Sequence, residues 1–276
     1  MKLTKPKVSV VMPVLNGLPY LKDSIKSILT QTFTDFELVI VNDVSTDGST
    51  ELLHEYAKKD KRIRVLQNEK NMGIVFALNR GLNESIGEYI VRMDSDDIAV
   101  KNRIEKQVAV MENDPSVAVL GAAVSYIDSL GRELNVIRYC ALGNGNLTRC
   151  PLLHPTVIIR KSHLERYGLC YREKYYYAQD YFLWLEIGKV GKISAINDVV
   201  LQYRITKQAG RVRELKMIIL TTLKVKKDAI FVLKIKPNLE AIGMIFMELF
   251  LLLLPARAIL HLYLRLTFGK GKKINL

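Results

Sequence analysis

Apolar and polar residues occur in alternating blocks along the first third of the chain. Four short runs rich in Val, Ile and Leu span residues 8–12, 36–41, 63–66 and 89–91. Runs of this kind are typical of strands that are buried on both faces. Between them, apolar positions recur with helical spacing up to about residue 29, over 49–59 and over 74–85. This alternation predicts an α/β fold, with a doubly wound, mostly parallel sheet flanked by helices.

Three of the predicted strands lead directly into polar segments. Asn16 follows the first strand, Asp43 the second, and the carboxylates Asp94, Asp96 and Asp97 the fourth. By themselves, the three carboxylates suit a solvated acidic turn as well as a Mg²⁺ or Mn²⁺ site that holds a phosphorylated ligand. Ligands of doubly wound sheets bind at the carboxyl ends of the strands. Three polar clusters at one sheet edge therefore favour a binding site.

Two common classes of nucleotide-binding protein lack their signatures in this sequence. No Gly-x-Gly-x-x-Gly follows the first strand, and no Gly-Lys-Ser or Gly-Lys-Thr of a P-loop occurs. The three cysteines, Cys140, Cys150 and Cys170, lack the paired spacing of a disulfide framework. They are interpreted as reduced packing residues.

The middle of the chain is less regular. Its pattern predicts helices at about 102–112 and 161–167 and strands at 117–125 and 157–159, and it leaves 128–145 unplaced. Asp180 would lie near the start of a helix that ends at about Val190. A carboxylate there either stabilises the helix dipole or belongs to a functional site, and the pattern alone leaves both interpretations open.

Seven motifs occur in order between residues 7 and 204. They are Val-Ser-Val-Val-Met-Pro-Val-Leu-Asn (8–16), Asn-Asp-Val-Ser-Thr-Asp-Gly-Ser (42–49), Asn-Met-Gly-Ile (71–74), Arg-Met-Asp-Ser-Asp-Asp-Ile (92–98), His-Pro-Thr-Val-Ile-Ile-Arg (154–160), Gln-Asp-Tyr-Phe-Leu-Trp (179–184) and Tyr-Arg (203–204). Singly these motifs are weak, but in this order and spacing they resemble the family 2 glycosyltransferases. The resemblance implies the nucleotide-sugar-binding architecture called GT-A for residues 1–206.

The resemblance also implies roles for individual residues. Asp94 and Asp96 match the Asp-x-Asp that binds the donor diphosphate through Mn²⁺ or Mg²⁺, whereas Asp97 stays unassigned. Asp180 matches the catalytic base, and Asp43 matches the residue that hydrogen-bonds the base or ribose of the donor. The remaining candidates for donor or acceptor contacts are Pro13, Val14, Asn16, Asn71, Gly73, His154, Tyr181 and Trp184. A histidine before a proline is as often structural.

The implied activity is inverting transfer of a sugar from a nucleotide-diphosphate sugar, with UDP as the first expectation. The expected acceptor is a hydroxyl of a glycan or lipid-linked molecule in surface polysaccharide biosynthesis. Two departures from the family pattern are Gln179, where Glu is usual, and Ile205-Thr206, where a histidine usually ends the motif. No Gln-x-x-Arg-Trp segment of processive members occurs, which favours transfer of one sugar per encounter.

Two other functions remain as alternatives. A non-catalytic nucleotide-sugar-binding homologue would be expected to have lost carboxylates that this chain retains. A sugar nucleotidyltransferase should carry a glycine-rich loop after the first strand, where this chain has Asn-Gly-Leu-Pro (16–19).

Charge and hydropathy set the C-terminal part, residues 207–276, apart. It holds 14 Lys and Arg against 4 Asp and Glu, which is +10 of the net +13. An apolar run over 242–254 lies within it, shorter than the roughly 20 residues that span a bilayer. Basic residues beside apolar ones favour a membrane surface over nucleic acid as partner. A helix packed on the catalytic domain and a membrane-spanning helix are the alternatives.

The expected location is the cytoplasmic face of the cell membrane. The first residues are basic and lead directly into a strand-like run, without the apolar core and cleavage site of a signal peptide. We therefore expect the globular part to stay in the cytoplasm.

Overall fold

The first half of the chain forms a parallel sheet, as the sequence predicts. The structure, a computed structural model, describes residues 5–138, 143–205 and 210–268. Its first elements are β1 (Val8–Val14), α1 (Leu21–Leu29), β2 (Phe36–Asn42), α2 (Ser49–Lys59), β3 (Ile63–Gln67), α3 (Ile74–Glu84) and β4 (Tyr89–Arg92). The four strands pair in the order β3-β2-β1-β4, and all three pairings are parallel. Every residue of β1 and β2 is buried, because helices cover both faces.

The second half of the sheet is mixed, so the prediction of a mostly parallel sheet is wrong there. Its elements are β5 (Ile98–Ala99), α4 (Arg103–Asn113), β6 (Val117–Ile127), β7 (Glu133–Ile137), β8 (Ile158–Arg160), α5 (Lys161–Tyr167), α6 (Gln179–Ile187) and β9 (Lys192–Arg204). β8 lies antiparallel between β4 and β6, and β6 pairs in parallel with β9. β5 and β7 add antiparallel pairs with β9 and β6. An apolar run indicates that a strand is buried on both faces, but it does not indicate the direction of the strand. The antiparallel pairings were therefore not predicted from the sequence.

The two faces of the sheet pack against different helices. One core contains Ile25 of α1 and Ile104 of α4, both without exposed surface. The other contains Leu78 of α3, Leu164 of α5 and Trp184 of α6. The carboxyl ends of β1, β2 and β4 are thus held from both sides.

Three helices follow the sheet domain, and the first of them packs on it. They are α7 (Gly210–Phe231), α8 (Leu239–Leu253) and α9 (Ala256–Phe268). Val225 and Ala229 of α7 lie in a buried cluster with Tyr181, Phe182 and Leu185 of α6. These contacts join α7 to the sheet domain. The predicted boundary at residue 206 falls outside the described residues.

A buried ion pair joins α7 to α8. Lys226 Nζ lies 2.6 Å from Glu248 Oε1, and their side chains are 1% and 12% exposed. The same ammonium donates to the Thr148 carbonyl at 3.2 Å. Glu248 is the charge that interrupts the apolar run of the sequence, and this pairing explains its presence there. None of the helices within the described ranges is both long and apolar enough to cross a membrane.

We predict that Lys226→Met destabilises the protein by about 3 kcal/mol, because it leaves Glu248 buried without its counter-charge. The double variant Lys226→Met/Glu248→Met should recover most of the loss, since it removes both charges. Lys224→Met, at an exposed position of the same helix, is the control and should stay within about 0.5 kcal/mol. Urea unfolding measures all three, and equal stabilities of the two lysine variants would contradict the prediction.

Candidate active site

The loops after β1 and β2 are hydrogen-bonded to each other. Asn16 Oδ1 accepts from the Thr46 N–H at 2.8 Å, and the Asn16 N–H donates to Ser45 Oγ at 3.0 Å. Asn16 adopts a φ of 52°, which asparagine tolerates better than most residues. Pro13 and Val14 are buried at the end of β1. The structure thus brings the predicted residues of the first motif to the same edge as Asp43.

Val44 is strained at this edge. Its φ of 65° lies in the left-handed region, which β-branched residues rarely adopt. The family pattern that the sequence resembles implies Asp-Asp-Gly-Ser where this chain has Asn42-Asp43-Val44-Ser45. Glycine would adopt the conformation of Val44 without strain. Strained backbone of this kind concentrates at functional sites.

Asp43 organises the loop before α3. Its side chain is 3% exposed, and Oδ1 accepts from Asn68 Nδ2 at 2.6 Å and from the Met72 N–H at 2.9 Å. Oδ2 accepts from the Gly73 N–H at 2.8 Å, while Asn71 Oδ1 also accepts from that N–H. Asp43, Asn71 and Gly73 therefore meet, as the resemblance implies. Their contact with a nucleoside stays a prediction.

The three carboxylates after β4 form one cluster. Asp94, Asp96 and Asp97 each present an oxygen within 4.8 Å of the others. Asp97 has no exposed surface, and its Oδ1 accepts from the Arg204 N–H at 2.9 Å. Burial, followed by the charges of Asp94 and Asp96, raises the pKa of the Asp97 carboxyl well above its ordinary value. Asp97, which the sequence left unassigned, is thus the innermost member of the cluster.

Arginines surround this acidic cluster. Arg92, 6% exposed, pairs with Asp94. Arg204 Nε donates to the Asp96 carbonyl at 2.9 Å, and its guanidinium lies 4.4 Å from the centre of the Tyr20 ring. Arg103 donates to the Arg92 carbonyl at 2.8 Å. Sequence reasoning gave no role to these arginines, although Arg92 and Arg204 lie within the matched motifs.

The residues of the cluster fit a divalent cation. Carboxylate oxygens are the ligands that Mg²⁺ and Mn²⁺ prefer. Asp97 Oδ2 is buried and has no hydrogen-bond partner among the described residues, as expected for an oxygen that needs a cation. The predicted ligands Asp94 and Asp96 are therefore joined by a third candidate, Asp97.

Asp180 lies at the start of α6, apart from the acidic cluster. Burial raises the pKa of its carboxyl above the ordinary value, although the Tyr181 N–H and the charge of Arg92 act in the opposite direction. Cys150 Sγ lies 3.3 Å from the Leu152 carbonyl and 3.8 Å from Asp180 Oδ2, so both oxygens are acceptors for its one S–H. A carboxylate with a raised pKa accepts a proton more readily near neutral pH, which suits a general base. Arg92 acts electrostatically on both Asp94 and Asp180. One guanidinium therefore lies within electrostatic reach of the acidic cluster and of Asp180.

Three residues predicted to contact the donor or acceptor are buried in the structure: His154, Tyr181 and Trp184. Trp184 has no exposed surface, and its ring lies 5.9 Å from that of His154. His154 Nε2 is 2.8 Å from the Tyr171 hydroxyl, and burial lowers the pKa of its imidazole well below the ordinary value. Tyr181 is 2% exposed and donates to the Asn146 carbonyl at 2.9 Å. The prediction that Trp184 shapes the acceptor side stays a prediction, and a ring this buried would act through its contact with His154.

Two solved structures with a similar fold are complexes with nucleotide sugars. Mannosyltransferase PcManGT of Pyrobaculum calidifontis, in complex with GDP-Man and Mn²⁺, has a TM-score of 0.61 at 18% identity, over 97% of this chain and 82% of that one. TarS 1-349 of S. aureus, in complex with UDP-GlcNAc, has a TM-score of 0.60 at 20% identity, over 88% and 79%. These likenesses show that the fold is GT-A.

Comparison of sequences then identifies the family. The model of glycosyl transferase family 2 matches residues 9–176. A glycosyltransferase of Methanocaldococcus jannaschii is 34% identical over 234 residues, which cover 81% of this chain and 80% of that protein. The chain belongs to glycosyl transferase family 2.

Two bacterial relatives are similar over shorter shares of their length. A glycosyltransferase of Haemophilus influenzae is 32% identical over 72% of this chain and 66% of that protein. A Bacillus subtilis protein named as the teichuronic acid biosynthesis glycosyltransferase TuaG is 41% identical over 39% of this chain and 42% of its own. The chain thus spans less than two thirds of the length of these two relatives.

We predict that Asp43→Asn loosens the loop before α3. The amide has only one acceptor oxygen, so its NH₂ group would face a backbone N–H that donates to the carboxylate in the unmodified protein. The expected loss of stability is about 1–3 kcal/mol. Amide hydrogen exchange of Met72 and Gly73 should accelerate more than exchange in β1. Asn71→Ala, which removes a single longer bond at an exposed side chain, is the control. Unchanged exchange at Met72 and Gly73 would show that Asp43 does not hold the loop.

Proposed function

We propose that the protein is an inverting, metal-dependent glycosyltransferase that moves one sugar per encounter from a nucleotide-diphosphate sugar to a hydroxyl. The observation that carries this proposal is that Arg92 pairs with Asp94 of the acidic cluster and also acts electrostatically on Asp180, in the first turn of α6. UDP is the first choice of nucleotide, supported by the complex of TarS with UDP-GlcNAc. The complex of PcManGT with GDP-Man makes GDP the second.

The donor side of the proposed reaction uses the acidic cluster. Asp94, Asp96 and Asp97 would hold Mn²⁺ or Mg²⁺, which supplies positive charge to the diphosphate as it leaves. The presence of Mn²⁺ in the PcManGT complex supports a divalent ion. Arg204 donates its backbone N–H to the Asp97 carboxylate and its Nε–H to the Asp96 carbonyl. These two bonds position the cluster. Asp43 and the loop that it orders would receive the nucleoside.

The acceptor side uses Asp180. Its carboxylate accepts the proton of the attacking hydroxyl, which makes the oxygen a better nucleophile. Attack on the sugar from the face opposite the diphosphate inverts the configuration at the anomeric carbon. When the Cys150 thiol donates to Asp180 Oδ2, it positions the carboxylate.

The acceptor in this proposal is a glycan or a lipid-linked molecule of surface polysaccharide biosynthesis. Similarity to TuaG, named for teichuronic acid biosynthesis, supports that choice. The donor sugar is to be read from the donor that supports transfer, and the linkage from NMR of the product.

The proposal predicts transfer or donor hydrolysis when the protein is incubated with Mn²⁺ and a panel of nucleotide sugars. Removal of the ion with EDTA should abolish turnover, and Mn²⁺ should restore it. Asp180→Asn should lower kcat at least about a hundredfold, since it removes the base, while nucleotide-induced thermal stabilisation stays. No turnover and no stabilisation with any nucleotide sugar would refute the proposal. Loss of both turnover and stabilisation in Asp180→Asn would remove Asp180 from the role of base.

The raised pKa of Asp180 predicts the acid limb of the pH profile. The base must be ionised to accept a proton, so kcat/KM falls as pH decreases through this pKa, and the limb lies above the ordinary aspartate range. Cys150→Ala removes a donor that favours the ionised form, so it should move the limb to higher pH. Cys150→Ser keeps a donor and should move the limb less. The same limb in both variants and the unmodified protein would contradict the role given to Cys150.

A further inference from the structure

α8 exposes large apolar side chains along one side. They recur every three or four residues, which is the spacing of a single helix face. This apolar face contains Leu239, Ile242, Phe246, Leu249, Phe250 and Leu253, which are 88%, 38%, 69%, 47%, 59% and 79% exposed, and Met247 beside them is 45% exposed. Contiguous exposed apolar surface of this kind marks an interaction site.

The opposite side of α8 packs against the rest of the protein. Ala241 is 1% exposed and belongs to the cluster that joins α7 and α6. Glu248 pairs with the buried Lys226 of α7. Because these contacts fix the rotation of the helix, the apolar face cannot turn inward without breaking a buried ion pair.

Basic residues flank this apolar face at both ends. Lys234 and Lys236 precede α8 and Arg257 follows it, all three exposed. Lys224 and Lys227 of α7 are also exposed. Within α8 the acidic residues are Glu240, in the first turn, and Glu248, which is paired. An apolar helix face bordered by Lys and Arg is complementary to the anionic headgroups and acyl chains of a membrane surface.

We propose that the apolar face of α8 docks on an anionic membrane surface, with the helix lying in the interface. A helix of 15 residues is about 22 Å long, less than a bilayer core, which excludes a spanning arrangement for α8. The cytoplasmic leaflet is the surface that fits this proposal, because its anionic lipids attract basic segments.

Docking through α8 would also set the position of the active site. Lys226 bonds to Glu248 of α8 and to the Thr148 carbonyl, and Cys150, two residues further, contacts Asp180. A continuous set of contacts therefore connects the docked helix with the proposed base. This part of the inference rests on the proposed function, and it assigns a lipid-linked acceptor rather than a free glycan.

The test uses the full chain with two kinds of vesicle, phosphatidylcholine alone and an equimolar mixture with phosphatidylglycerol. The unmodified protein should sediment with the mixed vesicles, and added salt should weaken binding because headgroup charge is screened. Phe246→Glu/Phe250→Glu should bind at least about tenfold more weakly, since two charges replace the apolar groups that enter the interface. Leu130→Glu, 75% exposed in the turn between β6 and β7, is the matched control and should bind as before.

Three results would overturn docking. One is the absence of binding to mixed vesicles, and another is equal binding by the double variant. The third is a concentration-dependent dimer in light scattering that the double variant abolishes, because α8 would then cover a second copy.

The same variants separate docking from the proposed function. The double variant should retain transfer to a water-soluble acceptor and lose transfer to an acceptor embedded in vesicles. Vesicle binding without any turnover would count against the proposed function and leave docking intact.

Discussion

The electrostatic balance at the end of β4 is the constraint on which the site depends. Three carboxylates stand within four residues, and Asp97 is fully buried. Carboxylates this close destabilise one another unless positive charge and hydrogen bonds offset the repulsion. Arg92 and Arg204 supply that offset from two different strands.

This balance ties the acidic cluster to the whole sheet. Arg204 ends β9, whose long pairing with β6 forms the second half of the sheet. Arg103 belongs to α4 and has no exposed surface, and burial lowers its pKa to about 9. It bonds to the Arg92 backbone rather than to a carboxylate. The site therefore needs both halves of the sheet, because Arg92 comes from the parallel half and Arg204 from the mixed half.

The sequence was sufficient for the parallel half because its signals are local. Runs of Val and Ile, helical spacing and polar strand ends report burial and chain reversal within a few residues. β8 has the same apolar composition but pairs antiparallel, since its direction depends on where the chain re-enters the sheet. Long-range placement of this kind has no local pattern to reveal it.

The same limit applied to the site. Asp43 and the Asp94–Asp97 segment were predicted because residue type and position at strand ends carry chemical meaning. Trp184 was assigned to the acceptor side, yet its ring is fully buried. A motif does not state that α6 is buried all round from Tyr181 to Ile187. Cys150 was interpreted as packing only, and its contact with Asp180 spans 30 residues of sequence.

The contacts of Asp43 have a consequence for how fast a ligand can bind. The Met72 and Gly73 amides and the Asn68 side chain are held by the protein's own carboxylate. Because this loop is ordered by the protein itself, binding of a ligand at this edge includes little entropic cost for ordering the loop. Association should then depend on diffusion and charge rather than on a slow rearrangement of this part of the site.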